Sequence, residues 1–259
     1  MKKSRTSNLL FGLLIFVLTL TGCLNLKIPN KIIRTSSSDV IKKANSLFPI
    51  ESFVMIRQEF MMRIKSCDDQ NECTSVVVGN ASATGSGFIV KTDSEYSYVM
   101  TAGHVCTPPP PNFGIDPSSL EIGYKIDLKT GFGREGGSEI IAIDIENDLC
   151  LLKASTRLGP ALEISGDELM LHEEVYNMAS PAGLASSLAV PVFKGYYVGD
   201  VSTMSIFSIP AVPGSSGSPI MTSDNKVVSL VSAAAVRFDE YAIGPHARAI
   251  REFLLAHLP

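Results

Sequence analysis

From about residue 50 to residue 236 the chain is a succession of short apolar, β-branched runs separated by Gly, Pro, Asn and Asp. This pattern limits the possible folds more than any other feature. FVMIRQEFMMRI (53–64), TSVVVGNA (74–81), SGFIVKT (86–92) and YSYVMTA (96–102) read as strands. LEIGYKIDL (120–128), EIIAIDI (139–145), LCLLKA (149–154), ALEIS (161–165) and EEVYNMA (173–179) follow. PVFKGYYVGDVS (191–202), MSIFSI (204–209), PIMTS (219–223) and KVVSLVSAAAV (226–236) complete the series. About a dozen short strands at this spacing predict an all-β barrel or sandwich.

The long helix is terminal. PHARAIREFLLAHL (245–258) starts with Pro and sets Ala249, Ile250, Phe253, Leu254 and Leu258 at helical spacing. VIKKANSLF (40–48) reads as a shorter helix, and TPPPPNFGIDPSS (107–119) as a proline-rich surface loop that no central strand would tolerate. With 45% apolar and 19% charged residues, the 259-residue chain has the material for a substantial core.

The first residues do not belong to this pattern. MKKSR is basic, and LLFGLLIFVLTL (9–20) is apolar but too short to span a bilayer comfortably. The run leads into Leu20-Thr21-Gly22-Cys23, which resembles the bacterial lipobox. That resemblance implies cleavage before Cys23, lipidation of Cys23 and anchoring on a membrane surface without a span. Residues 1–23 are thus a predicted lipoprotein signal peptide, and 24–49 a polar tether to a domain over 50–259. Loss of three basic residues and no acid would move the formal charge from −4 to −7. An acidic chain without a basic stripe is a poor partner for nucleic acid.

With Cys23 set aside, Cys67, Cys73, Cys106 and Cys150 remain, an even set that suggests two disulfides in an oxidising compartment. Four cysteines allow three connectivities. Cys67 and Cys73 flank the polar loop SCDDQNEC, which reads as a clipped hairpin tip; that leaves Cys106 with Cys150. There is no CxxC, so no zinc site is expected.

Three stretches carry the chemistry. TAGHV (101–105) follows an apolar strand, NDLCLL (147–152) places an acid before another, and PGSSGSP (213–219) sets three serines between prolines. Nucleophilic acyl transfer needs these types: a hydroxyl, an imidazole to take its proton and a carboxylate to orient the ring. Of the three serines only Ser216 has a glycine two positions before it (Gly214) and one directly after it (Gly217). A glycine two before keeps side chains away from the N–H groups that face a developing oxyanion. Ser216 is therefore the candidate nucleophile, with the Gly214 and Ser216 N–H groups as oxyanion donors. His104 is the candidate base; His172, His246 and His257 read as surface residues. Asp148, directly before LCLL, is the candidate acid ahead of Asp144 and Glu146. Cys106 lies two residues after His104 and Cys150 two after Asp148, so a bond between them would brace the base and the acid.

In these motifs the chain resembles the trypsin-like (chymotrypsin-fold) serine proteases, above all the bacterial Deg/HtrA and glutamyl-endopeptidase-like branch. TAGHV is similar to that family's T-A-[AG]-H, NDLCLL to D-[IL]-A-[LV]-L, and GSSGSP to G-[ND]-S-G-[GS]-P. GSGFIV (85–90), EEVYNMASPAGL (173–184) and EYAIGPHARAIREFL (240–254) add weaker echoes, in family order, over residues 50 to 258. The resemblance implies a double six-stranded β-barrel with a C-terminal α-helix, the barrels spanning about 50–155 and 156–244. It implies a serine endopeptidase with a His104/Asp148/Ser216 triad, a polypeptide substrate and no metal or organic cofactor. Ser232, Ala233 and Ala234 would form the strand that pairs with substrate.

The chain also departs from the family. Ser215 stands where digestive members carry an acid used in zymogen activation, and the glycine expected near Met178 to Ser180 is absent. Val231 stands where glutamate-specific members carry histidine. The uncharged stretch SIPAVP (208–213) implies a small or apolar residue at the cleaved position. The function expected is that of an exported endopeptidase held at a cell-envelope membrane surface. The competing expectation is a non-catalytic peptide-binding module on the same fold, because fold alone does not establish function.

Overall fold

The structure, a computed structural model, describes residues 47–67, 73–107, 120–187, 189–235 and 238–259. The predicted leader, Cys23, all of the tether but residues 47–49, nearly all of the helix expected at 40–48 and the proline-rich loop after Thr107 lie outside these residues.

Six strands close a barrel: β1 (Phe53–Cys67), β2 (Cys73–Thr92), β3 (Ser97–Ala102), β4 (Leu120–Thr130), β5 (Glu135–Asp144) and β6 (Leu149–Ala154). Their order around it is β1-β2-β3-β6-β5-β4. The remaining strands are β7 (Glu174–Met178), β8 (Val192–Val201), β9 (Met204–Phe207), β10 (Pro219–Met221), β11 (Val227–Leu230), β12 (Ala233–Ala235) and β13 (Phe238–Pro245). They form one seven-stranded sheet in the order β11-β10-β7-β8-β9-β13-β12. The first half is thus the closed six-stranded barrel that was expected. The second is a half-barrel that stays open, with β12 at one edge.

β3 and β6 are buried along almost their whole length, which explains why they read as unbroken apolar runs. Their Val99, Met100, Leu149, Leu151 and Leu152 pack with Phe53, Ile56, Phe88 and Ile89 in the larger core cluster. That cluster continues into Met178, Met221, Val227 and Leu230 of the second half. The helix α1 (Ala247–His257) adds Ile250, Phe253 and Leu254 to the same core, an i, i+3, i+4 stripe. It starts two residues later than the sequence suggested, because Pro245 still pairs with Met204 in β13.

Three other expectations shift. First, 74–81 and 86–92 are one strand, with a register break opposite Met62/Arg63. Gly85 is not a turn residue but a point of close approach: a Cβ there would lie 3.0 Å from the Val105 side chain. Second, residues 161–165 form no regular strand. Their N–H groups divide between the two halves: Leu162 donates to Ile89 at 2.8 Å and Ser165 to Val227 at 2.7 Å. Third, 226–236 is two strands, because the Val231–Ser232 link leaves one partner for another. Val231 exchanges hydrogen bonds with the segment after Ser216, and Ser232 donates to Ile243 of β13 at 2.9 Å.

Candidate active site

β3 ends at Ala102, and a short 3-10 turn, Gly103–Cys106, carries His104 out of the barrel wall. The turn docks on the segment before β6. Gly103 N–H donates to the Asp148 carbonyl at 2.8 Å, and a Cβ on Gly103 would meet the Asp148 carboxylate at 3.0 Å. Two residues beyond His104 and Asp148, a Cys106–Cys150 disulfide joins the two segments across a Cα–Cα distance of 6.3 Å. At the far end of β1 and β2 the register sets Cys67 opposite Cys73, and Cys73 is disulfide-bonded.

Asp148 occupies the left-handed region (φ 53°), a conformation that Asp tolerates better than most residues. Asp144 builds the turn that delivers it. The Asp144 carboxylate accepts the N–H groups of Glu146 (3.0 Å) and Asn147 (3.1 Å) and the Asn147 side-chain amide (2.7 Å). Asp144 is thereby used up in local structure, and Glu146 is exposed.

The Asp148 carboxylate accepts from the His104 backbone N–H at 2.7 Å and from ring Nδ1 at 2.9 Å (Oδ2) and 3.1 Å (Oδ1). It also accepts from the Ser232 hydroxyl. Burial works to raise the Asp148 pKa. The His104 ring, the Ser232 hydroxyl, the His104 charge and its N–H together outweigh burial and hold the group below the ordinary carboxylate value. An ionised carboxylate only accepts, so the proton between them sits on Nδ1, which leaves Nε2 as the ring nitrogen that can exchange a proton with another group.

Two successive turns meet at Ser215, and Ser216 sits in the second. Ser215 N–H donates to Val212 (2.9 Å) across Pro213-Gly214, and Ser218 N–H to Ser215 (3.0 Å) across Ser216-Gly217. Gly214 (φ 96°) and Gly217 (φ 83°) occupy the third position of each, the type II pattern that needs positive φ there. Both glycines are also packed tightly. A Cβ on Gly214 would lie 2.4 Å from the Ser180 carbonyl, and one on Gly217 2.2 Å from the Ser86 carbonyl. Gly217 N–H is taken by Val231 at 2.7 Å. Among the described residues neither Gly214 N–H nor Ser216 N–H donates to a backbone carbonyl.

The three serines differ in exposure. Ser215 is 1% exposed, with no partner for its hydroxyl among the described residues. Ser218 is fully buried and its hydroxyl accepts the Asn177 amide at 2.8 Å. Ser216 alone is partly open to solvent. Ser180 fills the place where a glycine was expected without strain (φ −114°), and the positive φ angles fall on Ala182 and Gly183.

Two outcomes were not read from the sequence. Ser232, directly before the edge strand β12, reaches Asp148. His246 is half buried, its Nδ1 3.0 Å from the Ser205 hydroxyl and 3.5 Å from Asp200, rather than a free surface residue.

A closed six-stranded barrel, a second half-barrel and one terminal helix, with a histidine–aspartate pair beside a double-turn serine loop, define a chymotrypsin-like protein. The comparison with known families agrees. The trypsin-like peptidase domain profile matches residues 85–230, and the chain belongs to that family. The match spans His104, Asp148 and Ser216. Among curated proteins it is similar to a "Probable periplasmic serine endoprotease DegP-like" of Halomonas elongata, 27% identical over 166 residues, covering 61% of this chain and 31% of the relative. A protein of the same description from Chlamydia muridarum is 27% identical over 155 residues, covering 58% and 28%. The chain thus spans about a third of the length of the curated relatives it matches.

Proposed function

We propose that this protein is an exported serine endopeptidase acting through a His104/Asp148/Ser216 triad, with its substrates drawn from polypeptides. His104 Nε2 takes the Ser216 hydroxyl proton as Oγ attacks the scissile carbonyl carbon. The oxygen that gains charge is received by the Gly214 and Ser216 N–H groups. The amine leaves with the proton from Nε2, and water, activated by the same nitrogen, releases the acyl group from Ser216. Asp148 holds the ring in the tautomer this requires.

The observation that carries this reading is the state of the serine loop. Among the described residues, the backbone N–H groups over 213–219 that donate to no backbone carbonyl are those of Gly214 and Ser216, at the one serine of the three that is partly open to solvent. Donors left unpaired at a partly buried turn have a use, and a developing oxyanion fits it. The edge position of β12 supports a substrate strand along Ser232, Ala233 and Ala234, since among the described residues β12 pairs with β13 alone. The uncharged approach to the loop, 208–213, supports a small or apolar residue at the cleaved position.

The leader-like residues 1–23 and the word periplasmic in the relatives' descriptions support export. The lipid anchor at Cys23 and the tether over 24–49 belong to the same proposal, as does a boundary near residue 155 between the two halves of 50–259. A fluorophosphonate probe tests the activity. Folded wild type should label, and Ser216→Ala should not; folded wild type that never labels would instead mark a binding module.

A further inference from the structure

The backbone carbonyls from Val212 to Ser216 surround the candidate nucleophile, and each has a donor. Four donors are backbone N–H groups: Ser215 to Val212 (2.9 Å), Ala182 to Pro213 (2.7 Å), Ser218 to Ser215 (3.0 Å) and Ser86 to Ser216 (2.8 Å). The fifth carbonyl, that of Gly214, is held by a side chain. The Ser86 hydroxyl donates to it at 2.8 Å and accepts the Ser180 N–H at 3.0 Å. Ser86 is fully buried in β2, and its own carbonyl is tied to the Thr101 hydroxyl at 2.7 Å. One hydroxyl on a rigid strand thus joins the Gly214 turn to the loop 180–183.

We propose that Ser86 is the positioning residue of the oxyanion site: its hydroxyl keeps the Gly214 turn in the orientation that presents the Gly214 N–H. This inference rests on reading the site as that of a serine peptidase. The physical reason lies in Gly214. Without a Cβ its dihedrals are soft, and its φ of 96° is kept by neighbours rather than by its own side chain. The peptide unit before it, which carries the N–H, is held through the Pro213 carbonyl by Ala182. The unit after it is held through the Gly214 carbonyl by Ser86. Ala182 lies in the very loop whose Ser180 N–H leans on the same hydroxyl. Removing that hydroxyl leaves a buried carbonyl and a buried N–H without partners, which is costly in a dry site. Rotation of the Gly214 turn is the cheapest relief, and rotation turns the oxyanion donor away. Ser86 would touch neither substrate nor reacting atoms; it acts through Gly214.

The test compares wild type, Ser86→Ala and Ser86→Cys, the last nearly isosteric with a weaker donor. In Ser86→Ala, kcat should fall about 10- to 100-fold, below the loss for deleting an oxyanion donor outright, with KM within about twofold. Affinity for a peptide boronic acid, which mimics the tetrahedral state, should fall with kcat/KM, while a product-like peptide binds as before. Ser86→Cys should lie between. Hydrogen exchange should quicken in peptides covering 180–184 and 212–217 and stay unchanged in the barrel strands. An unchanged kcat, or a loss confined to KM, would overturn the proposal. Should wild type fail to label with fluorophosphonate, the peptidase reading falls, and exchange alone decides the clamp: quickened loops support it and unchanged loops refute it. Should Ser86→Ala not fold, Ser86→Cys carries the same readouts.

Discussion

The Ser232 hydroxyl donates to Oδ2 of Asp148, the oxygen that also receives the His104 ring at 2.9 Å. The residue directly before the edge strand β12 therefore also braces the candidate acid. Hydrogen bonds to a charged group are worth about 1.5–3 kcal/mol, so Ser232→Ala should lower kcat about tenfold. Ser232→Thr should keep most of it. Steady-state kinetics on a peptide substrate, with KM followed separately, measures both.

Asp148→Asn should leave the fold intact and reduce kcat by about four orders of magnitude, through loss of the tautomer that leaves Nε2 basic. A stability signature should accompany it. The folded Asp148 pKa is depressed against burial by the His104 and Ser232 hydrogen bonds. Its contribution is therefore complete above the unfolded value of about 3.9 and lost as pH falls through the lower folded value. Melting curves of wild type and Asp148→Asn should keep a constant separation above about pH 5 and converge below about pH 4.

Gly214→Ala puts a Cβ 2.4 Å from the Ser180 carbonyl and 2.9 Å from the Ala182 nitrogen, at a φ of 96°. The turn must move, and the donor moves with it. We expect a loss of about 10²- to 10³-fold in kcat, the scale for removing one oxyanion donor. Far-ultraviolet circular dichroism should match wild type. Wild-type activity in this variant would show that the Gly214 N–H is not used.

The Cys106–Cys150 disulfide closes a sequence separation of 44 residues. A loop of that length is worth about 4 kcal/mol of chain entropy, roughly 10 °C in Tm for a domain of this size. The double variant Cys106→Ser/Cys150→Ser should melt lower by about that amount. Reduction of wild type, which also breaks the disulfide at Cys73, should lower Tm by at least that amount.

Much of this molecule was legible from its residues. Fully buried strands such as β3 and β6 read as apolar runs, and glycine spacing separated Ser216 from Ser215 and Ser218, because a positive-φ turn leaves a mark in sequence. Asp148 was separable from Asp144 mainly by the match of NDLCLL to the family's D-[IL]-A-[LV]-L, helped by its place before LCLL. The physical difference appears only in the turn, where the Asp144 carboxylate binds its own loop while Asp148 faces the histidine. The break of 226–236 into two strands carried no turn signal, since it comes from a change of partner and not from a local preference.

The sequence by itself determined the strand content, the terminal helix and the identity of the chemical groups, because periodicity and glycine placement are local properties that short-range sterics enforce. Tertiary structure alone decided that the second half stays open, that Ser232 reaches Asp148 across 84 positions and that Ser86 holds Gly214 across 128. Those contacts depend on how the barrel and the half-barrel meet, and no local pattern encodes the distance between residues brought together only by packing.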